Sequence, residues 1–140
     1  MKGGEDMMTL SQAKKALQSS EKKAESLGIA VSTVIVDNHG STIAASRMDG
    51  ALPISPRIAQ TKAWTSAALA VPSEGLAQFA KEGMPYFGIN TLFGGELTTM
   101  AGGIPILQGK TLIGAIGVGG SPDISQDVEC AKAAAAVLSE

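Results

Sequence analysis

The chain has 140 residues, of which 44% are hydrophobic and 17% charged, with a formal net charge of −2. That length and apolar content describe one domain with a real core and exclude a disordered chain. Eleven basic residues against thirteen acidic ones leave no cationic excess for phosphates, which argues against a nucleic-acid partner.

Residues 1–8 carry no periodicity and read as a loose tail, so the domain is placed at 9–140. Thr9 and Gln12 have capping-box spacing. Leu10, Ala13, Leu17, Ser20, Ala24 and Leu27 then recur at steps of three and four, one stripe of an amphipathic helix that Gly28 stops. Residues 30–36 are β-branched and too short for a helix, and Asp37-Asn38-His39-Gly40 is turn chemistry. Ser41–Arg47 returns, so the pair predicts a β-hairpin. Ser55-Pro56 starts the next helix, with Ser55 as N-cap, running to about Ala70. A short helix over Glu74–Lys81 is expected after Pro72-Ser73.

Residues 83–109 hold one charge, Glu96, and many glycines. Thr98–Leu107 reads as a strand bulged at Gly102-Gly103. Leu107–Lys110 turns tightly into Thr111–Val118, apolar on both faces and therefore central. A last helix starts near Ser125 and places Val128, Ala131, Ala135 and Leu138 on one face. Two hairpins with covering helices predict an α+β layered domain with mainly antiparallel pairing.

One cysteine, Cys130, and one histidine, His39, exclude a disulfide framework and any two-histidine metal site within one chain. No apolar run reaches 18 residues, so no membrane span is expected. The first 28 residues lack the apolar stretch of a secretory signal, which makes the cytoplasm the expected compartment.

The chemistry-bearing residues read two ways each. Gly114-Ala-Ile-Gly117-Val-Gly119-Gly120 fits no nucleotide loop, because Pro122 stands where the third glycine belongs. It is either a strand pressed against a helix or a bare backbone for a ligand. Arg47 and Asp49 form a surface pair, or Arg47 is a fork for a substrate carboxylate. Lys62, Thr65 and Ser66 share a helix face, and so small-sided a helix must press tightly on something. Lys62 is then either solvated or half-buried, with Asp49 as its candidate partner. His39 reads as a solvated turn residue and Cys130 as a small buried hydrophobe. Glu96 either gates a pocket or points to water.

Four segments together resemble one family: V-D-N-H-G at 36–40, R-M-D-G-A at 47–51, I-A-Q-T-K-A-W-T-S-A at 58–67, and G-G-I-P-I at 102–106 leading to G-A-I-G-V-G-G with Asp127 downstream. The chain looks like a member of the GlcG/HbpS family, which also forms the carboxy-terminal domain of PduO-type proteins. The resemblance covers residues 9–140. It implies a profilin-like fold, a five-stranded antiparallel sheet flanked by helices, with the fifth strand sought in Tyr86–Leu92. It implies homo-oligomers from dimer to octamer, haem or corrinoid as cofactor, and a place beside glycolate or diol metabolism. One departure stands out: the first-helix histidine that holds iron in haem-binding PduO-type relatives is absent from residues 10–27, which leaves His39 or Thr65 as other ligands.

Besides a purely structural partner inside an enzyme assembly, two functions follow as expectations. One is an oligomeric protein that binds a small ligand or cofactor in a cleft formed by Arg47, Asp49, Lys62, Thr65, Gly102 and Gly103, the ligand being a small anionic metabolite or a haem-like group. The other is a small enzyme acting on a carbonyl or hydroxy-acid metabolite, with Lys62 as base or clamp and Arg47 as carboxylate anchor.

Overall fold

A computed structural model describes residues 7–138. In chain order it holds α1 (Leu10–Leu27), β1 (Ser32–Asp37), β2 (Thr42–Arg47), α2 (Ser55–Leu69), β3 (Gly103–Gln108), β4 (Thr111–Gly119) and α3 (Ile124–Ala136). The four strands form one antiparallel sheet in the order β2-β1-β4-β3. The α+β class therefore holds, with four strands among the described residues rather than five.

Local chemistry explains most boundaries. Thr9 and Gln12 close the expected capping box on α1, and Gly28 ends it at φ 69°. The α2 start differs from expectation. Ser55 is the first helical residue, and its hydroxyl contacts Leu52 O at 2.6 Å and the Ser32 hydroxyl at 2.7 Å instead of capping. Asp123 caps α3 by accepting from Ser125 N.

The two sheet faces are filled differently. On one, Ile35, Ile116 and Val118 pack with Ala13, Ala16 and Ala24 of α1 and Ala131 and Ala134 of α3. Each isoleucine buried there stabilises the fold by roughly 1.5–3 kcal/mol. Met8 joins this core and donates its N–H to Ile113 O at 3.0 Å, so the tail expected through residue 8 is already part of the domain at that position; residues 1–6 lie outside the described residues. On the other face Val34, Val36 and Ala115 meet Ala59, Ala63 and Ala67 of α2. Gly117 makes this approach fit: a Cβ there would overlap the Ala59 carbonyl oxygen and stand 2.6 Å from Ala63 N. Of the two readings of the glycine strand, close packing on a helix is the one seen.

Residues 74–96 depart most from expectation. The helix expected over Glu74–Lys81 is a single 3-10 turn at Ala77–Phe79, and the fifth strand sought in Tyr86–Leu92 is turns with a 3-10 turn at Ile89–Thr91. Gly83, Gly88, Gly94 and Gly95 all sit at positive φ, which breaks both helix and ladder geometry. β3 starts at Gly103, not Thr98, and its irregularity falls between Ile106 and Leu107 rather than at Gly102-Gly103.

Candidate functional site

Lys62 sits about two turns into α2 on its sheet-facing side, among Ala59, Ala63 and Ser66, and is 1% exposed. Its Nζ donates to Val118 O at 2.9 Å and to Asp127 Oδ2 at 3.0 Å. Asp127, in the first turn of α3, is also buried, and its Oδ1 accepts from Ser121 N at 3.1 Å. Burial pushes the Asp127 carboxyl above the usual carboxylate range, and the Lys62 charge and the Ser121 N–H oppose that shift. An ammonium has three N–H donors, so two acceptors leave one for a further partner.

Lys62 and Asp127 lie at the wall of a cavity of about 580 Å³. Ile29, Leu52, Ile58, Met100 and Ile124 give it apolar sides, while Gly120 and Ser121 bring backbone to its edge. Ligand pockets commonly combine a volume of this order with apolar walls and a few fixed polar groups. The cavity opens at the end of the sheet where Ser32 pairs with Gly119.

The residues singled out in the sequence divide into two groups. Lys62, Gly102 and Gly103 come together. A Cβ on Gly102 would stand 2.8 Å from Lys62 Nζ, and one on Gly103 would overlap the Lys62 carbonyl oxygen. These two glycines let the lysine and its helix pass beneath β3, and on their other side they line a second cavity of about 430 Å³ against α3. Thr65 is buried beside them with its hydroxyl occupied, donating to Thr61 O at 2.7 Å and accepting from Thr98 N at 2.9 Å. It pins the returning segment and is not among the cavity's lining residues.

Arg47 and Asp49 form the second group. Both are exposed, Arg47 at the end of β2 opposite Ser32, and Asp49 just before Gly50, which lines the rim. The carboxylate that meets Lys62 is Asp127, not Asp49, because Lys62 faces the sheet and is covered by the start of α3. His39 is exposed in its turn, a strand length of about 16 Å from the cavity end of β1. Cys130 is fully buried, and burial pushes its thiol up to about 11, so it behaves as the apolar filler expected. Glu96 is exposed.

Asp127 is the residue the motif reading undervalued. Its signal was present, since Asp127, Cys130, Ala131, Ala134 and Leu138 form one buried stripe. A carboxylate on such a stripe needs a buried cation.

The model of the HbpS-like family, described as haem degrading protein HbpS-like, matches residues 8–136. The chain belongs to that family. Among its relatives, the corrinoid adenosyltransferase PduO of Salmonella typhimurium is 31% identical over 117 residues. That match takes in 84% of this chain and 34% of PduO, so the chain spans about a third of that relative's length. The crystal structure of Klebsiella pneumoniae protein ORFY superposes with a TM-score of 0.90 at 29% identity, covering 94% of this chain and 90% of that one. A PduOC:heme complex superposes at 0.89 with 26% identity, covering 96% and 99%. This chain thus shares its fold with both of these structures over nearly its whole length. Among the described residues, no helix is long and apolar enough to cross a membrane, and no group of three or more His, Cys, Asp or Glu is placed to hold a metal ion.

Proposed function

We propose that this HbpS-like chain is an oligomeric binding protein that takes a small ligand or haem-type cofactor in the cavity beside Lys62 and Asp127. The observation that carries the reading is the cavity itself: apolar walls of about 580 Å³ in all, with a buried ion pair at one side and a lysine N–H to spare. Lys62 is held by a carboxylate and a carbonyl. Both accept hydrogen bonds from an ammonium, and that arrangement suits a fixed anchor better than a proton-abstracting base.

Haem suits the apolar walls but finds no histidine here. The first helix has none, His39 stands a strand length away, and the Thr65 hydroxyl is already committed. Histidine-ligated haem therefore does not fit these residues, and haem enters the proposal only as an apolar disc bearing carboxylates. A corrinoid has the kinship to PduO in its favour and no feature of the cavity. The association with glycolate or diol metabolism rests on the family resemblance. Assembly is attributed to the exposed side chains of Met84, Tyr86, Phe87, Leu92 and Phe93, an apolar surface unusual on a monomer.

The test is a titration with haem, read by its absorption band and by the melting temperature. A shift in both that is lost in Ile58→Trp, which fills the cavity, is the expected result. A shift that survives Ile58→Trp, or no shift for haem or for any small carboxylate, overturns the reading.

A further inference from the structure

We propose that the ligand is an elongated amphiphilic carboxylate whose charged end is held by Arg57, an inference that rests on the binding-protein reading above. The cavity beside Lys62 does not end at Ile58 and Met100. The same two side chains also line a shallower hollow of about 320 Å³ on the outer side of α2, where Ile54, Arg57 and Thr61 face Leu97 and Thr98. The two spaces adjoin at these shared side chains, and the proposed ligand spans them as one groove. Along α2, Arg57 and Lys62 are five residues apart, about 7.5 Å in axial rise and about 140° around the helix, so an elongated molecule reaches both by bending over Ile58 and Met100.

The charges in this groove are unequal. Lys62 is neutralised by Asp127 at 3.0 Å. Arg57 is exposed and makes no ion pair within 4.0 Å among the described residues. No acidic residue lines the hollow between them. Glu96 lines the small recess on the Trp64 side, which shares Arg57, Thr61 and Gly95 with the hollow, but makes no ion pair with Arg57 within 4.0 Å. Arg57 is thus the cation of these two spaces without an ion-pair partner among the described residues, at the end away from Lys62, with apolar surface between the two. A guanidinium binds a carboxylate through paired N–H groups. The spare Lys62 N–H then suits an uncharged acceptor such as a carbonyl or hydroxyl oxygen at the other end.

Octanoate and 1-octanol separate the charge from the chain. Calorimetric titration of the full-length protein is expected to show octanoate binding at least about tenfold more tightly than octanol. Arg57→Gln should remove that preference by weakening octanoate alone. Ile58→Trp should abolish both, with circular dichroism confirming that each variant is folded. Equal affinity for the two in the parent, or an octanoate preference that persists in Arg57→Gln, overturns the Arg57 assignment and leaves the cavity reading standing. Binding of both compounds that persists in Ile58→Trp overturns the cavity reading as well, whereas failure of the parent to bind either overturns the elongated-carboxylate proposal alone.

Discussion

The contact of α2 with the sheet and the segment 74–96 are both built from small and apolar residues, yet they use them in opposite ways. At the first, Ala59, Ala63, Ala67, Ala115 and Gly117 are buried, and backbone meets backbone with almost no side chain between. In the second, no residue from Glu74 to Glu96 is buried, and Phe87 and Phe93 are 66% and 62% exposed. The difference lies in hydrogen bonding. Regular elements satisfy their own backbone, so they can be pressed together dry. The segment is chained instead by 3-10 turns and positive-φ glycines, and it is tied to the domain at its ends and by the Phe93 ring, 5.7 Å from that of Trp64 on α2. At the ends Ser73 bonds Met100 O at 2.6 Å and Thr98 N bonds the Thr65 hydroxyl at 2.9 Å. Composition alone does not separate a packed interface from a surface loop; backbone pairing does.

The contrast is broken most severely at the buried pair. Asp127→Ala leaves the Lys62 ammonium in a dry site with a carbonyl as its remaining partner, and removing one member of such a pair typically costs about 3–5 kcal/mol. Urea denaturation should show that loss. The double variant Lys62→Met with Asp127→Leu should recover most of it, because two buried charges then vanish together. Gly117→Val comes next. Its first side-chain carbon would occupy the space of the Ala59 carbonyl, which cannot move without bending α2. Overpacking usually costs about 1–3 kcal/mol, and a backbone clash puts this variant at or above the top of that range. An unchanged melting temperature would contradict the close approach.

Cys130 gives a weaker, pH-dependent probe of the same core. Its thiol is raised from 9.0 to about 11 on folding. A raised folded value means that the contribution is full below about pH 9 and is lost as pH rises through about 11. The loss amounts to about 2–3 kcal/mol. Denaturation curves of the parent and of Cys130→Ala should therefore converge as pH climbs from 9 to 11. The exposed segment should behave the other way. Phe87→Ser removes apolar surface without touching the core, so stability of the single chain should change by no more than about 0.5 kcal/mol. Light scattering should nonetheless show the assembly falling apart. A particle that keeps its size would detach this segment from oligomer formation.

Periodicity made three helices and two hairpins legible, because burial on one face leaves a trace every third or fourth residue, or every second. Gly117 was legible for the same reason: a glycine within an apolar strand marks close approach. The segment 74–96 was not, since local hydrogen bonds between turns leave no period to find. Lys62 was legible only as solvated or half-buried, whereas it is fully buried at 1% exposure. Its partner was misassigned because Asp49 is near in sequence, whereas the Asp127 contact spans 65 positions and depends on how α3 docks.

The smallest expected effect concerns Arg47, where the resemblance and the geometry pull apart. Arg47 lies within R-M-D-G-A, one of the segments that carry the family likeness, at the cavity end of the sheet. Yet it is exposed, with no ion pair within 4.0 Å among the described residues, and the cavity wall passes through Gly50 and Leu52 instead. A conservative change at an exposed, unpaired position usually moves stability by no more than about 0.5 kcal/mol, so Arg47→Lys should melt like the parent. Its effect on ligand distinguishes two roles. An arginine that grips a carboxylate with two parallel N–H groups is poorly replaced by lysine, which offers a point charge. If Arg47 is that anchor, Arg47→Lys loses affinity for an acidic ligand while Arg57→Gln keeps it. The groove geometry predicts the reverse, because Arg57 lines the path of the ligand and Arg47 does not. Measuring one carboxylate against both variants decides between two arginines ten residues apart.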